Sequence, residues 1–196
     1  MRQTRLLAVM AAPALLAGCI SFGAKPPPSL LVLTPHTLMA AGQSRSAGAG
    51  EAVTITVPTV PAALATTRLP VQSDDTNLAY LDKAQWADAP AKLFQQLLSE
   101  TVAAKTGRVV LDARQFSFDP GLRVTGEISR FGLDARTMEA VVTYDAAKAD
   151  AGKNRVEERR FEARVPVSAM EPGPAGIALN EAANKVADDV AAWIGG

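Results

Sequence analysis

The sequence predicts an α+β domain: a mainly antiparallel sheet with two amphipathic helices packed on one of its faces. Three observations point there. Runs of alternating apolar and polar residues recur in the second half of the chain, most clearly from Leu122 to Ile128. Two stretches carry apolar residues at helical spacing, one before those runs and one after them. The order is therefore strands, helix, antiparallel strands, helix, which suits helices gathered on one side of a sheet. No internal repeat interrupts it.

Taken in order, Leu30-Leu31-Val32-Leu33 reads as a short strand ended by Thr34-Pro35. Thr37 to Gly50 is rich in Ala, Gly, Ser and Gln and reads as a mobile loop. Val53 to Val57 alternates β-branched side chains and reads as a strand stopped by Pro58. Pro58 to Pro70 contains Pro61 and should be irregular. Leu69 to Gln72 and Leu78 to Leu81 should pair as a hairpin around the turn-rich Ser73-Asp74-Asp75-Thr76-Asn77. The first helix is expected from Ala89 to Lys105. Asp88 would be its N-cap, Pro90 would sit in its first turn, and Gly107 would end it. Leu93, Phe94, Leu97, Leu98 and Val102 form its apolar stripe.

Val109-Val110-Leu111 follows as a short strand, then Leu122 to Ile128, with a phase slip near Ser129-Arg130 that predicts a bulge or the strand's end. Met138 to Tyr144 reads as a strand, Ala146 to Lys153 as an exposed turn, and Arg155 to Val167 as a long returning strand. Phe161, Ala163, Val165 and Val167 share a face of that strand. Pro172-Gly173-Pro174 should break the chain. The closing helix then buries Ile177, Leu179, Ala183, Val186, Val190, Trp193 and Ile194.

The start of the chain decides its location. Arg2 and Arg5 precede an apolar run from Leu6 to Ala17, too short to span a bilayer and suited to a removable signal. Its end, Leu16-Ala17-Gly18-Cys19, resembles the bacterial lipobox. The resemblance implies cleavage after Gly18, with a diacylglycerol on the Cys19 thiol and acylation of the new amino terminus. Two or more acyl chains hold a protein on a membrane, because each buried methylene contributes about 0.8 kcal/mol. Ile20 stands at the next position, where lipoproteins retained on the inner membrane commonly carry Asp. By that sorting rule the anchor belongs in the outer membrane and the body in the periplasm. The expected organisation is a signal peptide over 1–18, a Pro-rich tether over 19–29 containing Lys25-Pro26-Pro27-Pro28, and one domain over 30–196.

Composition excludes several function classes. The chain has 20 basic and 20 acidic residues, and losing Arg2 and Arg5 with the signal tips the balance to acidic. No basic excess remains to neutralise phosphates, so nucleic acid is not an expected partner. With its single cysteine consumed by lipid, the domain has no disulfide, thiolate nucleophile or sulfur-ligated metal, and it must stand on its core. His36 is the single histidine, placed in a loop of small residues, and a zinc site needs more ligands than the chain offers. No Gly-x-Ser-x-Gly turn, Walker loop or spaced-glycine fingerprint occurs. Asp74-Asp75 lies in a turn. Asp188-Asp189 lies on a helix, where adjacent side chains diverge by about 100°. Neither pair suits shared acid–base work. The mixed charges from Glu157 to Arg164 suit cross-strand ion pairing and edge protection. No catalytic residue, cofactor or metal is expected.

Aromatic residues are few, which gives weight to Tyr80 and Trp86. Trp86 reads first as a hydrophobic lid over the first helical turn. It also reads, with Tyr80, as an anchor at a partner surface. Over nearly the whole mature chain the pattern resembles the ABC-type transport auxiliary lipoproteins, the PqiC-like group. The residues that carry this are Cys19, the early strand ending at Pro35, and Val53 to Pro58 followed by Pro61. The Tyr80-x5-Trp86-x3-Pro90 stretch opening a helix, Arg164-Val165-Pro166-Val167 and the last helix complete it. The resemblance implies a non-enzymatic component of a lipid transport route, working with an ABC permease, its ATPase and a mammalian-cell-entry-type protein, and able to form homo-oligomers. An alternative from a different class is a structural outer-membrane lipoprotein that assembles or stabilises an envelope complex.

Overall fold

The computed structural model describes residues 29–111, 121–150 and 152–195. Cys19 and the stretches expected as signal peptide and tether, up to residue 28, lie outside them. Seven strands and two long helices follow the expected order: β1 (Val53–Ile55), a 3-10 turn (Ala62–Leu64), β2 (Arg68–Gln72), β3 (Leu78–Gln85), α1 (Pro90–Thr106), β4 (Val110–Leu111), β5 (Leu122–Asp134), β6 (Glu139–Asp150), β7 (Arg155–Pro166) and α2 (Pro172–Gly195).

The frame is the antiparallel trio β5–β6–β7. β6 pairs with β5 from Leu122↔Asp150 to Asp134↔Glu139, and with β7 from Glu139↔Pro166 to Asp150↔Arg155. The register of β5 shifts between Ile128 and Arg130, at the predicted slip. The outer edge of β5 is shared. β1 runs parallel to its first residues and carries β4 in parallel, while β2 runs parallel to its last residues and carries β3 as the expected antiparallel hairpin. Those short parallel pairings make the sheet mixed, which alternation along a single strand could not reveal.

Both helices cover the same face. Phe94 of α1 meets Tyr144 edge-on at 5.2 Å between ring centroids, and Trp193 of α2 meets Phe161 at 5.5 Å. Tyr144 and Phe161 are direct cross-strand partners, so their rings leave the same side of the sheet. Such ring pairs contribute about 0.5–1.5 kcal/mol each beyond the area they bury. Gly126 makes room for the first of them. A Cβ there would lie 2.6 Å from the Tyr144 ring and 2.3 Å from the Asp145 carbonyl oxygen.

Several local expectations are corrected. Leu30 to Leu33 makes only a single bridge, Leu31 to Trp86, and is not a strand. β1 stops at Ile55. Asp88 is not the N-cap of α1; Ala89 is, without a side-chain capping bond. The Asp88 carboxylate instead accepts from the Ala89 N–H at 2.7 Å and pairs with Lys92 one turn on. Pro90 does occupy the first turn, and Gly107 ends the helix with φ 73°. The stretch from Ala146 to Asp150 is strand, not turn, because β6 stays paired on both sides. Ala146, 3 % exposed, leaves room under the helices, and tertiary pairing outweighs the weak strand preference of the alanines in this stretch. Pro172-Gly173-Pro174 starts α2 instead of breaking the chain, since the first turn of a helix has no N–H partners to lose. Ile177, expected on the apolar side of α2, is 75 % exposed.

The far face of the sheet is polar and tied by charge. Arg160 of β7 holds Asp145 of β6, and Arg164 holds Glu139, as the mixed-charge run predicted. At the end of β5, Asp134 is 1 % exposed yet charged, accepting from the Arg130 and Arg136 guanidinium groups and from the Arg136 N–H. These bonds, Arg136 first, hold its carboxyl at about 2 against an ordinary 3.8.

Two predictions follow from this packing. Leu97 faces the core at 1 % exposure, so Leu97→Ala should cost about 2–5 kcal/mol in urea denaturation. An unchanged midpoint would mean that the α1 face is misassigned. The Asp134 pKa is lower in the folded than in the unfolded chain. Its stabilisation is therefore complete above the unfolded value of 3.8 and disappears as pH falls through about 2. Asp134→Asn should lower the denaturation midpoint at neutral pH, and its deficit against wild type should shrink as pH drops across that window. A deficit independent of pH would show that the carboxylate charge contributes nothing.

Candidate functional site

The segment preceding β1, expected as a short strand to Leu33 and a loop from Thr37, forms a strap that builds the walls of two grooves. It first crosses α2. Asn180 and Asn184 stand one helical turn apart and grip its backbone: Asn180 Oδ1 accepts from the Thr34 N–H at 2.8 Å, and Asn184 Oδ1 accepts from the His36 N–H at 2.8 Å. Asn184 Nδ2 donates to the Thr34 carbonyl at 3.0 Å. A buried asparagine among apolar neighbours is costly unless it is bonded in this way. Leu31 adds a two-bond bridge to the end of β3, donating to the Gln85 carbonyl and accepting from the Ala87 N–H.

Beyond His36 the segment passes over the last turns of α1. The Arg45 guanidinium donates to the Ala103 carbonyl near the helix C-terminus, where a cation complements the unpaired carbonyls. Between this segment, α1 and β4 lies an open groove of about 890 Å³. Leu38, Met39, Val110 and Leu111 give it apolar surface, Arg45 and Arg108 give it positive charge, and Gln95, Gln96, Ser99 and Glu100 line the helix side. Leu38 and Met39 are 59 % and 41 % exposed. An apolar floor with two guanidinium groups suits an amphiphile carrying an anionic head, because guanidinium groups bind phosphate through paired N–H donors. The sequence reading missed this groove; Arg45 within an otherwise uncharged small-residue stretch was the available signal.

The residues singled out from sequence are scattered. His36 is half exposed, with Nε2 3.5 Å from a Glu181 oxygen. Asp74 is occupied by its own turn, accepting from the Thr76 and Asn77 N–H groups at 2.9 Å. The Thr76 bond above all, then the Asn77 amide, holds its carboxyl at about 2. Asp75 pairs with Arg136, and Asp188 pairs with Lys105 at 2.7 Å. Neither aspartate pair forms a shared acid–base site. Among the described residues no group of three or more potential metal ligands converges, and no helix is long and apolar enough to cross a membrane.

Tyr80 is half-buried, with its hydroxyl donating to the Ala63 carbonyl at 3.2 Å and Arg68 stacked 4.1 Å above its ring. Trp86 is 1 % exposed and packs edge-on against Phe131 at 5.4 Å. It is thus a core residue, closer to the hydrophobic-lid reading, and the folded domain does not offer it as a surface anchor.

The fold is shared with protein XCC0632 from Xanthomonas campestris, a DUF330 protein. The two are 15 % identical, with a TM-score of 0.67 over 84 % of this chain and 94 % of that one. A second solved structure, of an uncharacterised protein, is 14 % identical with a TM-score of 0.65, over 85 % of this chain and 99 % of that one. No curated protein matches the sequence. The model of the ABC-type transport auxiliary lipoprotein component matches residues 34–191, from the strap over α2 almost to the end of that helix, and the chain belongs to this family.

Proposed function

We propose that the chain is a lipid-anchored periplasmic component of an ABC and mammalian-cell-entry-type transport system, moving lipids between the inner and outer membranes. Membership of the transport auxiliary family supports the transport role. The observation that carries the lipid reading is the groove beside α1. Acyl chains would lie along Leu38, Met39 and Val110, while Arg45 and Arg108 face the phosphate. The chain would hand cargo on without chemistry of its own, and energy would come from the partner ATPase. Cys19 would fix it to the outer membrane. Tyr80, with Arg68 on its ring, is the surviving candidate for contact with the permease or the mammalian-cell-entry-type protein, and further copies of the chain would complete the assembly.

Three experiments test this. Photoreactive phospholipid added to native membranes should cross-link to the groove. Arg45→Glu with Arg108→Glu should abolish most of that labelling while leaving the fold intact by circular dichroism. Labelling that ignores both substitutions would remove the groove from the proposal. Cys19→Ser should leave the body folded and shift it from the membrane fraction to the soluble periplasmic fraction. Its continued sedimentation with membranes would show that another surface does the anchoring. A photoreactive residue at Tyr80 should capture a permease or mammalian-cell-entry component. Capture of outer-membrane assembly proteins alone would favour the structural role instead.

A further inference from the structure

The other groove, of about 780 Å³, lies where the chain enters the domain, between the strap, the first turns of α2 and the end of β7. Residues 30–33 are extended, and their side chains alternate. Leu31 and Leu33 turn inward onto the core, while Leu30 and Val32 turn outward at 51 % and 56 % exposure. Ile177, on the exposed side of α2, lines the same groove and is the most exposed large apolar side chain among the described residues at 75 %. Single exposed aliphatic residues need no explanation, but three sharing one groove do. The groove's charged lining is Glu181, paired with His36 at 3.5 Å and, from outside the groove, with Lys185.

We propose that Leu30, Val32 and Ile177 form a membrane-contact patch that seats the domain on the bilayer holding its own anchor. The inference rests on the reading of Cys19 as the lipid-bearing residue. What selects the bilayer as occupant is the chain outside the described residues and the place where it ends. The tether from Ile20 to Ser29 has ten residues, and a fully extended chain spans at most about 3.3–3.6 Å per residue. Leu30 lies eleven residue steps beyond Cys19, so the patch cannot be more than about 40 Å from the lipid-bearing residue. A tether that short keeps the bilayer at high effective concentration beside whatever it joins. The apolar patch lies at the root of that tether. Aliphatic side chains there can enter the headgroup–acyl boundary while the polar far face of the sheet stays in water.

The test uses the lipidated full-length protein, whose single native thiol is taken up by the acyl linkage, so one introduced cysteine gives one label. Ile177→Cys, carrying an environment-sensitive fluorophore, is reconstituted into phosphatidylethanolamine–phosphatidylglycerol vesicles with brominated acyl chains. Glu158→Cys, on the exposed face of β7, is the control. The fluorophore at position 177 should shift to the blue and lose most of its emission to the brominated chains, while that at position 158 does neither. Equal, weak quenching at both positions in protein whose mass shows the acyl groups would overturn the patch and leave the anchor standing. A blue shift that grows with protein density but not with bromination would assign the patch to a second copy of the chain, and also overturn it. Protein lacking the acyl mass would remove the anchor, and the patch proposal with it.

Discussion

Everything in this domain hangs on the pairing of β6 with strands on both sides. Its central residue, Tyr144, is fully buried, opposite Phe161 and against Phe94, and Gly126 is side-chain-free where that ring needs space. Burial pushes the phenol's pKa well above its usual value, and its hydroxyl has no hydrogen-bond partner among the described residues. Leaving a buried hydroxyl unpaired costs about 1–3 kcal/mol. Ring packing at the meeting point of sheet and helices offsets that cost, since Tyr144 touches α1 while its strand neighbour Phe161 touches α2. Lys148, further along β6, closes the far end by donating to the Trp193 carbonyl at 2.9 Å, a cation at the negative end of α2.

The two faces of the sheet are stabilised by different physics. The helix side depends on area and shape. The open side depends on countercharges placed across strands, Arg160 with Asp145 and Arg164 with Glu139, which exposed alone would contribute little. Their larger effect is on specificity. β7 is a twelve-residue edge strand, and an outward row of arginines and glutamates makes it a poor template for another strand. Asp134 differs because it is buried: its two arginines and one backbone N–H replace the water it loses, so its charge is retained where burial alone would remove it.

Where local pattern and tertiary environment agree, the sequence was a good guide. The stripe of α1, the bulge in β5, the β2–β3 hairpin and the charge alternation of β7 all follow from periods of 3.6 or 2. Where composition is small or ambiguous it was not. Ala146 to Asp150 carries no strand signal of its own and is strand because two neighbours supply its hydrogen bonds. Trp86 next to a helix start reads first as a lid and second as a contact residue, and its burial against Phe131 separates the two. The groove beside α1 was the least legible feature. Its wall comes from Leu38, Met39 and Arg45 in a stretch without periodicity, brought to the helix by the distant Ala103 carbonyl and by asparagines nearly 150 positions along the chain.

Those asparagines explain how an irregular segment can be a structural part. Asn180 and Asn184 bond to main-chain groups of Thr34 and His36, so this anchorage of the strap does not depend on the identity of those two side chains, while Leu31 and Leu33 pack on the core. Its outward residues are thereby released from any packing duty. Leu30 and Val32 need not be apolar to hold the segment in place, because Leu31, Leu33 and the asparagines already do that. Their aliphatic character requires another cause, and a surface outside the chain is the one that exposed carbon favours. The same strap leads on to the wall of the groove beside α1, so the element proposed to seat on the membrane also shapes the place proposed for cargo.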